Sequence, residues 1–451
     1  FSYSGNFSVA DETYRHKMLN AYDFARVVNI MNGPNGLGRV YDPTNPAPDT
    51  SYFFSPAELE HFKTNSYDAL DDYWKSAGTQ RHNLNVTGGS EDATYFGGIS
   101  LYTQDGNLGT LNYDRWSFRA GTNINLAKGF KADFQVSGYF TEESKTTSKI
   151  GSENVENDFR QLQNRAPFLP MYINGFPALQ IGSSGNDALV GYHYGEIQRR
   201  QNLAESSDSN VSVNVNLEYE IPFVKGLKIS GNFARQENGG RGSQIGSKFD
   251  LYEFYGADEN LEDNDPLFTS TPGNTYILYE SGSGPKGTNI IRQINNIVNG
   301  DRLLIDNNRS GTQQMRFQAS FNKDFGKHKV SALFAVEKSE RFENRERLIA
   351  LGVPDWSDGM IWQTTDGFDE DNTFNWRNES GDLGYLGRLN YNYDGKYYAE
   401  FLFRSDASAK FAPENYWGNF YSISGGWIMS NEDFFKSNTI DFLKFRGSVG
   451  Y

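Results

Sequence analysis

The chain has 451 residues, no cysteine, and a net charge of -15 from 57 acidic against 42 basic side chains. That balance disfavours a nucleic-acid partner, which needs a basic footprint, and the missing thiols exclude a disulfide frame and thiolate metal sites. A mean hydropathy of -0.66 and the lack of any long apolar run exclude transmembrane helices, which need about 20 such residues, but not strands that are apolar on one face only.

The chain opens on "FSYSGNFSV", where Phe1, Tyr3, Gly5, Phe7 and Val9 share one face of a predicted strand. A long insertion follows, with two predicted helices. "HKMLNAYDFARVVNIM" sets Met18, Leu19, Tyr22, Ala25, Val28 and Ile30 near one stripe. "SPAELEHF" opens with Ser55 as N-cap, Pro56 at the first helical position and Glu58 closing a capping box. Tyr22 and Phe24 read as packing residues.

From residue 82 onward the alternation returns. Trp116, Phe118, Ala120, Thr122, Ile124 and Leu126 oppose Ser117, Arg119, Asn123 and Asn125, and Phe130 to Phe140 continue after a turn at 127–129. Val211, Val213, Val215, Leu217, Tyr219 and Ile221 repeat the pattern, as do Met315, Phe317, Ala319 and Phe321. About thirteen strands of roughly ten residues are expected, the length of a tilted membrane-crossing strand.

In "GRLNYNYDGKYYAEFLFRSD" (387–406), Asp394-Gly395 marks a hairpin. A two-residue loop would set Leu389 opposite Glu400 and mix both faces. A three-residue loop sets Leu389 opposite Phe401 and Gly387 opposite Phe403, leaving Arg388, Asn390 and Glu400 on the other side. Register follows the face that must be dry, so the three-residue loop is expected. A soluble sandwich would give the same alternation in one hairpin.

The connections separate the two readings. Short turns at 88–92, 127–129, 222–226, 323–327 and 394–396 alternate with long segments near 142–208, 237–310 and 341–382. In an up-and-down sheet all the long segments then fall at one end. An outer-membrane barrel has this asymmetry, and a sandwich has no reason for it.

The stretches "QRHNLNVTGGSEDATYFGGISLYTQDGNL", "NYDRWSFRAGTNINL" and "GYLGRLNYNYDGKYYAEFLFRSDASAKFAPENYWGNFYSISGGWIMSNEDFF" resemble, in order and spacing, SusC/RagA-type TonB-linked outer-membrane nutrient importers of Bacteroidetes. The resemblance implies an all-β, antiparallel up-and-down barrel of about 22 strands with a plug. It also implies a TonB complex as energy source, a SusD-like surface lipoprotein as lid, surrounding outer-membrane lipid, and an oligosaccharide or peptide as substrate. Residues 1–451 are then expected to form one partial barrel domain, an open wall without the plug and the C-terminal strands. A siderophore or cobalamin receptor and a soluble β-sandwich carbohydrate-binding protein are the alternatives.

No catalytic constellation stands out, so no enzyme, cofactor or metal is expected. His16, His61, His82, His193 and His328 are scattered, with His82 and His328 placed beside turns as solvated rings. The acidic runs 258–265 and 366–372 lack an EF-hand register and read as solvated loops. Trp356, Trp362 and Trp376 in one long loop are candidates for substrate contact, although rings there serve packing equally well. Arg388, Glu400 and Arg404 are expected to face the lumen, against a plug or along a substrate path. Tyr391, Tyr421 and Trp427 are expected in an interfacial girdle.

Overall fold

The computed structural model describes residues 1–31, 56–146, 155–173, 175–178, 193–247, 249–255, 289–295, 301–354, 356–437 and 439–451. Thirteen strands form one sheet in which each pairs antiparallel with the next. In order they are β1 (Ser2–Ala10), β2 (Ala77–Gly89), β3 (Ala93–Asp105), β4 (Asn112–Ala127), β5 (Phe130–Thr146), β8 (Leu203–Glu220) and β9 (Leu227–Gly246). The order continues with β12 (Arg302–Phe325), β13 (His328–Leu351), β14 (Phe374–Tyr393), β15 (Tyr397–Ser408), β16 (Trp417–Ile428) and β17 (Lys444–Gly450). Two small ribbons, β6 (Tyr172–Ile173) with β7 (Phe176–Pro177) and β10 (Asp250–Tyr255) with β11 (Asn289–Asn295), lie in the long connections. β1 and β17 each pair on one side and not with each other, so the described sheet is an open wall.

The register follows the dry face. Leu389 pairs with Phe401, Gly387 with Phe403, Asn390 with Glu400 and Tyr393 with Tyr397, which makes the turn three residues long. Asp394 (φ 54°) and Gly395 (φ 68°) both take the left-handed backbone that turn requires. The same phase runs across the sheet. Trp116 meets Phe140, Phe134 meets Val215, Val215 meets Phe233, and Phe317 meets Val336.

Two rows of rings bound this apolar band. At the turn end Phe130 packs on Tyr219, and Tyr393, Tyr397, Trp427 and Phe445 form a chain with centroids 6.0 to 6.4 Å apart. Farther along the strands Trp116 stacks on Phe140, Tyr385 on Trp417 and Tyr421 on Tyr451. Tyr385 and Tyr393 are eight residues apart, roughly 26 Å along a strand, or about 20 Å of height at a barrel tilt of about 40°, which fits within a lipid-facing band.

The strands are longer than their apolar patterning indicates. β12 and β13 have 24 residues each. Beyond Phe233, Met315 and Val336 the outward positions become Arg235, Glu237, Gln313, Arg309, Lys338 and Glu340. Backbone pairing continues while both faces are polar, as expected of sheet that has left the lipid and stands in water. The expected long segments therefore shrink to 147–202, 247–301 and 352–373.

Connections 11–76, 106–111, 147–202, 247–301, 352–373 and 409–416 lie at one end of the sheet, and 90–92, 128–129, 221–226, 326–327, 394–396 and 429–443 at the other. The long-loop end carries a packed cap. It contains α1 (Ala21–Met31), α2 (Pro56–Phe62), α3 (Ala69–Tyr73), α4 (Val155–Gln163) and α5 (Tyr194–Arg199). Leu70, Leu162, Tyr194, Ile197, Phe249 and Leu251 bury one another there, and Ala21, Ala25, Phe62, Phe168 and Leu169 form a second cluster. The first insertion thus holds three described helices rather than two. Its leading helix starts at Ala21, so Met18 and Leu19 precede it and lie exposed. Tyr22 and Phe24 do pack on the second cluster. Ser55 and the side chain of Glu58 lie outside the described residues, as does the acidic run 258–265.

Candidate functional site

The face opposite the apolar band is the lumenal one, and its charges are largely paired across strands. Arg388 on β14 donates to Glu400 on β15 at 2.5 and 2.8 Å. Arg404 reaches Asp406 at 2.6 Å and Glu337 at 3.7 Å, and Arg316 reaches Glu337 at 3.3 Å, so a ladder of alternating sign crosses β12 to β15. Amides extend it. Asn232 donates to Asn214 and Asn216, and Asn210 and Asn238 bond to each other. A polar, self-neutralised wall of this kind offers many reversible contacts and holds no single buried charge.

Several recesses open on it. One of about 790 Å³ lies between Arg316, Glu337, Arg404 and Asp406 and is walled by Phe411 and Tyr416 of the 409–416 connection. Another of about 360 Å³ is lined by Tyr113, Arg115, Tyr139, Asp208 and Asn238, with the Arg115 guanidinium 4.5 Å from the Tyr139 ring centroid.

Of the six candidate contact residues, Arg388, Glu400 and Arg404 occupy lumenal positions as expected. Trp356 and Trp362 lie in the 352–373 connection and are 65% and 78% exposed. Trp376 does not lie in that loop. It sits on β14 opposite Arg345, because pairing resumes at Phe374. It is twelve residues from Arg388, roughly 40 Å along the strand, so the rings and the charged ladder form two separate zones.

Near Trp376, Asp306 accepts from Arg345 at 3.1 Å and from Arg347. Burial raises its carboxyl pKa, but the two guanidinium hydrogen bonds and charges outweigh it and hold the group below the usual carboxylate range. In the 366–372 run Asp369 bonds the backbone and side chain of Asn372, a local turn. Among the described residues no group of three acidic or histidine side chains converges as metal ligands.

Of the two histidines expected as solvated rings beside turns, His328 is exposed after a turn as expected, and His82 departs. His82 stands inside β2, not beside a turn, and its Nδ1 meets the Tyr3 hydroxyl at 2.8 Å. His328 follows a turn, and its Nδ1 meets the Tyr391 hydroxyl at 2.7 Å. His193 is fully buried in the cap, where its Nδ1 accepts from the Glu196 N–H and caps α5. Its Nε2–H donates to the Met171 carbonyl at 2.7 Å. Burial, reinforced by the Arg165 charge, lowers its pKa to about 4, so the ring is neutral. Arg165 is itself pulled down to about 10 by burial and donates to the carbonyls of Pro170 and Ala178.

No family model matches the chain. TonB-dependent receptor P3 of Formosa agariphila is 24% identical over 394 residues, covering 85% of this chain and 34% of that protein. TonB-dependent receptor SusC of Bacteroides thetaiotaomicron is 40% identical over 65 residues, 14% of this chain and 6% of that protein. The RagAB peptide importer in its closed-closed state aligns over 99% of this chain and 46% of that one, with a TM-score of 0.55 at 16% identity, a likeness of fold. The chain spans about a third of the length of the Formosa receptors it matches. The chain is thus similar in sequence to TonB-dependent receptors, SusC among them, and its sheet has the fold of the RagA-type barrel wall.

Proposed function

We propose that the chain serves in active import of oligomeric nutrients, glycan or peptide, as barrel wall of a SusC-like transporter energised by TonB. In this reading further strands continue the sheet from its two unpaired edges, since lipid cannot satisfy exposed backbone groups. A plug fills the lumen, and a SusD-like surface lipoprotein covers the long-loop end. The observation that carries the reading is the asymmetry of the wall: one apolar face bounded by rings, one polar face, and every loop with a packed core at one end. Arg388, Glu400 and Arg404 line the plug contact or substrate path, and Trp356, Trp362 and Trp376 meet substrate or lid near the loop end. The ladder charges neutralise one another in pairs, which suits contact and passage better than catalysis.

Deleting the gene from the native organism tests this. Uptake of one labelled class of oligosaccharide or peptide should vanish, a protonophore should abolish it in the parent strain, and a surface lipoprotein should co-purify with the receptor. Unchanged uptake of every oligomer tested would sink the proposal.

A further inference from the structure

The connection between β16 and β17 differs from the tight turns beside it. Turns 90–92, 128–129, 326–327 and 394–396 contain only Ser, Asp, Glu, Lys and Gly, and 221–226 carries Phe223 and Val224. The 429–443 connection instead begins with a clamp. Glu432 accepts from the Trp427 indole N–H at 3.0 Å and from the Lys396 ammonium at 3.1 Å. Asn431 donates to the Gly395 carbonyl at 2.9 Å, and the Ser430 N–H bonds the Leu443 carbonyl. The bonds to Lys396 and Gly395 tie the base of the connection to the β14–β15 hairpin, and the Ser430–Leu443 bond closes that base.

Beyond the clamp, Phe434, Ile440 and Phe442 stand 64%, 47% and 63% exposed. Apolar side chains so exposed are unfavourable in water. Phe434 lies 6.4 Å from Trp427, which itself stacks with Tyr397 and Phe445 in the turn-end row of rings. Phe434 therefore joins the connection to the turn-end row of rings, with Ile440 and Phe442 exposed on the same connection. Asp433, Lys436 and Asp441 alternate with the apolar residues and are exposed, a composition for the headgroup boundary rather than the acyl interior.

We propose that 429–443 is a membrane-interface foot. Phe434, Ile440 and Phe442 enter the headgroup–acyl boundary of the turn-side leaflet, and Glu432 holds them there. The inference rests on the membrane reading of the wall and extends it beyond the strands.

Residues 1–451 hold no cysteine, so single cysteines can be introduced among them without a native thiol of this segment competing. Phe434→Cys and Phe442→Cys, each introduced into the whole receptor and labelled with an environment-sensitive fluorophore, are reconstituted in phosphatidylcholine vesicles. The labels should be quenched several-fold more by a nitroxide near the headgroup than by aqueous iodide. Glu91→Cys should respond to iodide, and Phe401→Cys to a nitroxide deep in the acyl chain. Adding Glu432→Ala should move the 434 and 442 labels toward iodide quenching. Iodide quenching at 434 and 442 equal to that at 91 would overturn the proposal. So would protection from every quencher, which would mean a protein covers the segment. If the 401 label also escapes the deep nitroxide, the membrane reading itself fails, which separates the two failures.

Discussion

The cap and the wall are made from one chain by opposite rules. In the cap Leu70, Tyr194, Ile197 and Leu251 are each at most 1 or 2% exposed, packed as in a soluble domain. In the wall Phe401, Leu389, Trp116 and Phe317 remain between 43 and 51% exposed, with no second layer over them among the described residues. Water-driven burial accounts for the cap. The wall takes its order from backbone pairing in a ladder, and its apolar face needs a solvent other than water. One region therefore carries its own core, and the other borrows lipid as its core.

Substitutions can break this contrast. Leu70→Ala should cost roughly 2–5 kcal/mol, as buried leucine truncations do. Hydrogen exchange should quicken in the cap, at the Trp74 amide bonded to Leu70 for example, and not in β12 to β15. Equal loss in both regions would mean that they unfold as one unit. Phe401→Arg should destabilise the wall in lipid vesicles by roughly 2–4 kcal/mol, whereas Asn390→Arg on the lumenal face should change urea unfolding far less. Equal costs would contradict the assignment of faces.

Acid should act on the cap first. The unfolded His193 ring protonates below its ordinary value near 6.5, while the folded ring stays neutral down to about 4. The unfolded state thus binds more protons as pH falls. Cap stability should drop by about 3 kcal/mol across that window and level off below it. Measured by exchange at the Ile197 and Asn202 amides, the drop should disappear in His193→Asn, which can still cap α5. Glu196 works at lower pH. Burial raises its pKa, but bonds from Arg199 and Arg200 hold it below its usual value, so its contribution vanishes only once it protonates. The smallest effect expected is Glu400→Gln. Its pair with Arg388 is part-exposed, with side chains 52% and 32% accessible, and should be worth ~1 kcal/mol or less by the same urea measurement.

How much of this the sequence discloses follows from the same contrast. The membrane-crossing wall alternates with period two, so Leu389 opposite Phe401 could be derived from pairing alone. The strand extensions could not, because after Phe233 the run "ARQENGGRGSQIG" has no apolar face to mark it, and pairing there is visible only in the backbone. Trp376 stands on such an extension, which is why the pattern assigns it to a loop. The cap was opaque for another: its core gathers Leu70, Leu108, Leu162 and Leu251 from four connections that share no period. His193 gave no signal either, since nothing in "YHYGEI" distinguishes a buried cap from a surface ring.

The central claim is that the long connections and the short turns lie on opposite sides of one membrane. Single cysteines introduced at Asn107, Ser357 and Asn415 on one end, and at Glu91, Lys128 and Lys327 on the other, can be probed with a membrane-impermeant maleimide on intact cells. The first three should label at once, and the second three only after the outer membrane is opened. Labelling of the turn positions in intact cells, or equal labelling at both ends, would contradict the account.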